Sequence, residues 1–293
     1  MKISLLRSIL KKYLRKIIYI REYKPIKVKH NKIPKRKIFS FVGGNLNPGK
    51  VFYVIQRHPG YGIFSNLTFV VNHIKIALDM GFIPIVDMEN YTTIYNENKK
   101  IFNTYNSWEY YYEQVSPYSL EEVYKSMNII VTSNIFYSEI DFSYSITDKK
   151  ELLDIFHKYI NVKKNKLKTI QYLKRQLFQN KKILGVHFRG TGYKISRNPY
   201  PVTVNQMINK INEILDKEKY EKIFLMTEDS YNFKKIKEYY GKKVVSLNTT
   251  VRGKTNQAVY DIYPRDRHRY KLGRDVLIET YLLSHCDGFF DIP

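Results

Sequence analysis

Short apolar runs alternate with amphipathic stretches along most of the chain, and this pattern predicts a series of β/α units. In the first half, strands are predicted at 51–55 and 82–86, with a helix at about 65–80 between them that Gly81 ends. A strand, a glycine turn, a helix and a second strand make a βαβ unit, which requires a parallel sheet. Residues 88–118 are rich in tyrosine and polar residues and predict irregular structure.

The second half repeats the alternation more clearly. Its predicted strands are 182–188, 222–227, 243–247 and 288–290, and its predicted helices are about 203–218, 230–240 and 272–285. Thr203 is the expected cap of the first of these helices, and Gly241 is expected to end the second. Between the halves, 128–131 is a candidate strand and 149–178 one or two basic helices. The whole pattern predicts an α/β protein with two Rossmann-like domains facing a central cleft, where ligands bind at the carboxyl ends of the strands.

The first 37 residues differ from the rest in charge. They carry fourteen Lys and Arg and one acid, so they hold +13 of the formal net charge of +23. Apolar residues recur there at three- and four-residue steps between the basic ones: Ile3, Leu6, Leu10, Tyr13, Leu14 and Ile17. We therefore predict a basic amphipathic helix and a proline-containing linker at 1–37, which suits an anionic membrane surface. The alternative is a solvated helix that packs on the protein body.

Composition narrows the class of protein. With 43% hydrophobic residues the chain can form a core, so wholesale disorder is excluded. The single cysteine, Cys286, excludes an internal disulfide framework and indicates a reducing compartment. The apolar runs are all shorter than the roughly 18 residues of a membrane span. The basic charge leaves nucleic acid, a membrane surface or a phosphate-bearing ligand open, and A/T-rich codons can supply part of it.

The segment Gly185–Lys194 carries the most distinctive chemistry. Its apolar first half predicts a buried strand, and polar residues begin where the strand ends. His187 and Arg189 share one face of a strand, and Phe188 points the other way. The Arg189 guanidinium can fork onto phosphate oxygens, and Gly190 and Gly192 let backbone approach a ligand closely. An arginine that pairs with a carboxylate at a strand end remains an alternative.

This segment resembles the His-x-Arg-x-(Gly/Thr)-Asp motif of the GDP-fucose-dependent fucosyltransferases, a group of α1,6-, nodulation and protein O-fucosyltransferases. The likeness is greatest to members that build bacterial surface polysaccharides. Three further matching segments follow the group's order: Gly60–Leu67, Ile223–Asp229, and Leu272–Asp275 continuing through Leu283–Phe289. The resemblance extends from about residue 50 to the end of the chain.

The resemblance implies a GT-B-like fold and an inverting, metal-independent glycosyltransferase that moves fucose or a related sugar from a GDP-sugar to a surface-glycan hydroxyl. The GDP-sugar is a co-substrate, and no cofactor is expected. Arg189 would contact the diphosphate and stabilise the leaving group. His187 and Asp229 would hold the nucleoside. The substrate-binding residues implied or suggested are Gly60, Gly62, Asn66, His187, Tyr193, Thr227, Glu228, Asp229, Arg269 and Arg274.

Two positions depart from the group's pattern. Gly192 stands where many members have an aspartate, and the chain ends at Pro293, about where a serine-rich nucleotide-contacting loop is expected. The expected domains are the basic segment 1–37, an acceptor-side α/β domain at 38–178, and a C-terminally truncated GDP-sugar-binding domain at 179–293. The expected location is the inner face of the cytoplasmic membrane, with a glycan or lipid-linked oligosaccharide as acceptor.

An inverting transferase needs a base that deprotonates the acceptor hydroxyl. Asp87 and Glu89 follow the second predicted strand and are the candidates, although a carboxylate in this position often only caps a turn. The basic run 265–271 can bind an anionic group or form a solvated loop. The histidines lack the spacing of zinc ligands, so no metal site is predicted.

Two other functions fit parts of the sequence. Gly192 and the early end favour a catalytically inactive relative that binds glycans or partners. The basic composition suits a nucleic-acid-binding protein, for which exposed aromatics should cluster with arginines. The tyrosines instead concentrate in 91–124, where charge is roughly balanced.

Overall fold

The computed structural model describes residues 39–57, 62–132, 146–190, 202–254 and 258–291. The chain divides into two compact units, Met1–Asn161 and Val162–Pro293. Each contains one four-stranded sheet. The predicted basic helix at 1–37 and the candidate residues Gly60 and Tyr193 lie outside the described residues.

The first unit is an α/β layer with a mixed sheet. Its elements are β1 Phe39–Phe41, β2 Leu46–Ile55, α1 Ile63–Asp79, β3 Ile83–Val86, a 3₁₀ turn at Ser107–Tyr110, α2 Leu120–Tyr124, β4 Ser126–Val131 and α3 Ile146–Tyr159. The strand order is β1-β4-β2-β3, with β3 and β4 parallel to β2 and β1 antiparallel to β4. The predicted βαβ unit is therefore confirmed, and β1 is an antiparallel edge strand that the sequence pattern missed.

Buried apolar side chains on the central strands hold this sheet to its helices. Phe52, Val54 and Ile85 are fully buried together with Val123 of α2. Gly81 follows α1 with φ +70°, a left-handed conformation that ends the helix without the strain of a side chain.

The tyrosine-rich segment after β3 is largely irregular, as predicted, but it is part of the core. Trp108, Tyr110, Tyr111 and Tyr112 are each buried. The Trp108 indole Nε1 donates to the Glu113 carbonyl at 3.0 Å. These rings fill the interior of the first unit, so they do not form the exposed aromatic surface that single-stranded nucleic acid requires.

The second unit is a doubly wound parallel layer. Its elements are α4 Lys164–Phe178, β5 Ile183–His187, α5 Val204–Lys217, β6 Lys222–Met226, α6 Ser230–Tyr240, 3₁₀ turns at Gly241–Lys243 and Val259–Asp261, β7 Val244–Val245, α7 His268–Leu283 and β8 Gly288–Asp291. The strand order is β7-β6-β5-β8, and the three pairings are parallel. Thr203 caps α5 in a capping box with Gln206, as the sequence indicated.

Helices cover both faces of this second sheet. On one face, Leu184 and Val186 of β5 pack with Met207 and Ile211 of α5 and with Ile236 of α6. On the other, side chains of the sheet pack against α4 and α7, in a cluster that contains Ile170, Phe178, Ile183, Phe224, Ile278 and Leu282. Because the strands are apolar on both faces, they read in the sequence as continuous hydrophobic runs.

Helix α4 packs with the second unit, whereas the sequence-based boundary at 178/179 assigned it to the first. Its buried Ile170 and Phe178 belong to the same cluster as Phe224 of β6. The Phe178 and Phe224 rings meet edge to face, with centroids 5.7 Å apart. The division of the structure lies between Asn161 and Val162.

Within the described ranges, none of the helices is both long enough and apolar enough to cross a bilayer.

Candidate active site

The carboxyl end of β5 presents His187, Phe188, Arg189 and Gly190 in succession. Phe188 is buried and packs against the α5 side of the sheet. Arg189 is exposed and His187 is half-buried. The polar side chains therefore emerge where the apolar strand stops, which places a guanidinium within reach of a ligand at the carboxyl edge.

Gly190 fits closely against the residues that follow β6. Its backbone N–H donates to Glu228 Oε1 at 2.9 Å. A Cβ at this position would lie 2.2 Å from the Asp229 Cβ, closer than two carbon atoms can approach. Any larger residue at position 190 would therefore clash with Asp229, so a glycine is required. The hydrogen bond to Glu228 fixes the backbone beside Arg189.

Asp229 is wholly buried and begins α6. Its Oδ1 accepts from the backbone N–H groups of Tyr231 at 2.8 Å and Asn232 at 3.0 Å, the geometry of a helix N-cap. Its Oδ2 is buried and has no hydrogen-bond partner among the described residues. A buried carboxylate oxygen without a donor is costly, so it favours a donor from a ligand or a water.

The backbone after β6 is held on both sides. Thr227 is buried, and its Oγ1 accepts from the Asp229 N–H at 3.3 Å. The Gly253 N–H donates to the Glu228 carbonyl at 2.8 Å, and the Ser230 N–H donates to the Gly253 carbonyl at 2.9 Å. These bonds extend the sheet past β6 and make the Thr227–Asp229 segment a rigid part of the edge.

His187 faces a carboxylate on the neighbouring strand. His187 and Asp291 are register partners on the parallel strands β5 and β8. The His187 Nδ1 lies 2.9 Å from Asp291 Oδ1. No local pattern in the sequence indicates this pair, because the partners are far apart along the chain.

The basic run 265–271 is only partly a solvated loop, since its last four residues begin α7. Arg265 Nη2 and Arg274 Nη2 both bond to the buried Asp275 carboxylate, at 2.8 and 2.7 Å. Arg265 Nη1 also donates to the Thr249 carbonyl at 2.6 Å. Arg269 lies over the Tyr263 ring and hydrogen-bonds to its hydroxyl. Asp275, which the sequence pattern did not single out, therefore pairs with Arg265 of the run and with Arg274 further along α7.

A second buried acid lies near this cluster. Burial raises the pKa of Glu279 to about 8, against the opposing effects of the Thr250 hydroxyl, 2.7 Å from Oε1, and of the nearby Arg252 charge. Arg252 stacks on Phe233 with its Cζ 3.8 Å from the ring centroid. Burial lowers the pKa of Arg252. Glu279 is therefore largely protonated at neutral pH, which leaves this part of the edge with positive charge.

In the first unit, Arg57 lies just past β2 and is buried. It donates to Asn66 Oδ1 at 3.3 Å and to Ser65 Oγ at 3.0 Å, both on the first turn of α1. Gly62 is the N-cap of that helix, and the Ile63 N–H donates to the Tyr95 hydroxyl at 2.9 Å. Asn66, predicted to bind substrate, is thus fixed by an arginine that the sequence pattern did not single out.

Asp87 is fully buried at the end of β3 and accepts five hydrogen bonds. Its Oδ2 accepts from Gln56 Nε2 at 2.7 Å, the Tyr124 hydroxyl at 2.5 Å and Asn90 Nδ2 at 3.0 Å. Its Oδ1 accepts from the backbone N–H groups of Glu89 and Asn90, both at 2.9 Å. Burial and the adjacent carboxylate raise the pKa of Tyr124. Asp87 therefore ties β3, β2 and α2 together, and both of its carboxylate oxygens are engaged as hydrogen-bond acceptors.

Glu89 is half-buried two residues further on. Burial, together with the negative charges of Asp87 and Glu109, raises its pKa above the ordinary value. A carboxylate with a raised pKa is a stronger base once it is ionised.

The described residues give little support to a metal site or to a cysteine nucleophile. The described residues contain no group of three or more His, Cys, Asp or Glu side chains that could hold a metal ion. Burial raises the pKa of the Cys286 thiol to about 12, and such a thiol is a poor nucleophile.

Comparison with known proteins identifies solved structures with a similar fold. No protein-family model matches the sequence, and no curated protein matches it. Among solved structures, the chain is similar to the fucosyltransferase NodZ from Bradyrhizobium, with 16% identity over 82% of this chain and 87% of NodZ and a TM-score of 0.54. It is also similar to NodZ α1,6-fucosyltransferase soaked with GDP-fucose, at 15% identity, 83% and 89% coverage and a TM-score of 0.55. The likeness confirms the predicted α/β, GT-B-like fold class.

Proposed function

We propose that this protein is a glycosyltransferase that uses a GDP-sugar, with GDP-fucose the leading candidate, and transfers the sugar to a glycan hydroxyl. One observation carries the proposal: the exposed Arg189 stands beside a glycine that packs without any spare space on Glu228 and Asp229. This rigid corner, with its exposed guanidinium, lies at the carboxyl edge of a parallel sheet, where nucleotides bind. The NodZ structures with GDP and with GDP-fucose share the fold.

Within this proposal the second unit binds the donor. Arg189 contacts the diphosphate, and its charge stabilises GDP as the glycosidic bond breaks, so that no metal ion is needed. His187 and Asp229 hold the nucleoside, since the unpaired Asp229 Oδ2 can accept from a base N–H. Thr227 and Glu228 keep this edge rigid, and Arg269 and Arg274 supply further positive charge near the diphosphate.

The first unit supplies the acceptor side. We assign the general base to Glu89, because its pKa is raised whereas Asp87 already accepts five hydrogen bonds. Glu89 removes the proton from the acceptor hydroxyl as that oxygen attacks the anomeric carbon from the face opposite GDP. The sugar is then transferred with inversion. Asn66 and Gly62 border the acceptor position.

Calorimetric titration of the purified protein with GDP and GDP-fucose tests the proposal. We expect both to bind in the presence of EDTA, with dissociation constants in the range of about 1 µM to 1 mM that enzyme substrates show. Absence of GDP binding at about 1 mM would overturn it. Binding without hydrolysis or transfer to a panel of glycan acceptors would instead favour the inactive, ligand-binding relative.

The acceptor in this proposal is a bacterial surface glycan or its lipid-linked precursor, reached from the inner face of the membrane. Residues 1–37 carry a net +13 and attach the protein to anionic lipid. We expect the full chain to co-sediment with vesicles containing anionic phospholipid and a chain without residues 1–37 to stay in the supernatant. Equal partitioning of the two proteins, or equal binding to neutral vesicles, would contradict attachment through this segment.

A further inference from the structure

The His187–Asp291 pair connects the ends of two neighbouring strands. The two residues are register partners on β5 and β8, so the backbone places them side by side. His187 Nδ1 and Asp291 Oδ1 are 2.9 Å apart. The His187 side chain is 26% exposed, which leaves part of the ring open at the carboxyl edge.

The partner decides which nitrogen of the ring carries the proton. An ionised carboxylate only accepts hydrogen bonds, so the Nδ1 of His187 must be the donor. In the neutral ring, Nε2 is then the acceptor. Among the described residues the His187 ring makes no other hydrogen bond, so its Nε2 is available to a ligand.

We propose that Asp291 is a positioning residue that sets the tautomer of His187 and thereby makes Nε2 a hydrogen-bond acceptor for an N–H group of the donor's base. This proposal rests on the proposed function, in which His187 holds the nucleoside. Without Asp291, Nε2 tends to carry the proton, because the Nε2–H form is the intrinsically favoured tautomer of neutral imidazole. A donor at that position would then oppose the N–H of the base.

The tautomer is measured by long-range ¹H–¹⁵N NMR on protein labelled at histidine, with His187 assigned from the spectrum of His187→Gln. We expect the Nδ1–H form in the wild type and the Nε2–H form in Asp291→Ala. The same substitution should weaken GDP binding about tenfold, because one hydrogen bond is lost and the Nε2–H of His187 then faces an N–H of the base. Asp291→Asn should restore both, because its amide oxygen still accepts from Nδ1–H.

A second readout separates base recognition from binding of the phosphates. Inorganic pyrophosphate has no base, so its binding, followed by NMR titration, should be equal in the wild type and in Asp291→Ala. A loss of pyrophosphate binding as large as that of GDP would overturn the proposal, because Asp291 would then act on the phosphate site.

Asp287 offers a matched control at the opposite end of the same strands. Its Oδ2 accepts from the Ile183 backbone N–H at 2.7 Å, so it is also a carboxylate that joins the β8 side to β5. Asp287→Ala should lower stability and leave the His187 tautomer unchanged.

An unchanged tautomer in Asp291→Ala, or a changed tautomer with unchanged GDP affinity, would overturn the proposal. A wild type that does not bind GDP would refute the proposed function, and the NMR result would separately show whether Asp291 sets the ring.

Discussion

Replacing Arg189 with alanine is expected to lower the rate of sugar transfer about 100- to 1000-fold, the usual effect of removing one preorganised group that stabilises developing charge. The guanidinium is exposed at the end of β5, so its loss should leave the fold intact. GDP binding should also weaken, since the ground state shares the diphosphate contact. Initial rates with GDP-fucose, and calorimetry with GDP, measure the two effects.

Two variants make the Arg189 result specific. Arg189→Lys keeps the charge and loses the forked geometry, so we expect it to recover only part of the rate. Arg175→Ala removes another exposed arginine, on α4 of the same unit, and should change neither rate nor affinity. Full activity in Arg189→Ala would mean that the diphosphate binds elsewhere. Equal losses in Arg189→Ala and Arg175→Ala would point to a general effect of surface charge.

Replacing Asp87 with alanine is expected to cost about 3–5 kcal/mol of unfolding free energy, because the buried Gln56 amide and the partly buried donors on Tyr124 and Asn90 lose their shared acceptor. Asp87→Asn should cost less, since the amide oxygen still accepts while its NH₂ opposes a donor. Chemical denaturation gives both values from the midpoint at constant slope. A loss of activity in Asp87→Asn with wild-type stability would instead make Asp87 the base.

Glu89→Gln is the matched substitution. In contrast to the Asp87 variants, it is expected to keep the stability of the fold and to lose the transfer activity. Glu89 has a raised pKa, so the folded state binds its proton more tightly than the unfolded state does. Ionised Glu89 therefore destabilises the fold as pH rises through the folded pKa, and the glutamine variant should be as stable as the wild type, or more stable, at pH 8. Its transfer rate should fall at least about 100-fold if Glu89 is the base. An unchanged rate would exclude that role.

Local patterns in the sequence were enough to predict the parallel units and the polar end of β5. The apolar run 183–186 and the glycine at 190 are both local signals, and the structure places them at a strand and its carboxyl edge. The helix caps at Thr203 and Gly241 are local too, and both occur as predicted. The antiparallel β1 was missed because three residues at an edge carry almost no periodicity.

Partnerships between distant residues could not be predicted. Asp275 looks like an ordinary helix acid, yet it is buried and holds Arg265 and Arg274. Asp87 looks like a turn residue or a base, and only the fold brings Gln56 and Tyr124 to it. The sequence supplies the residue types, but burial and pairing depend on which strands become neighbours, and that is a property of the whole sheet.

Gly185 shows how the last part of the chain finds its place. It is the one residue without a side chain in β5, and an added Cβ there would lie 3.0 Å from the Cys286 sulfur and 3.1 Å from a Leu283 methyl group. On the same face of β5 as Gly185, the neighbouring side chains of Ile183 and His187 are larger, so the end of α7 comes closest to the strand at the glycine. Gly185 therefore determines the position along β5 at which the end of α7 packs. Because β8 follows α7 in the chain, the missing side chain at Gly185 also helps to set the register that places Asp291 opposite His187.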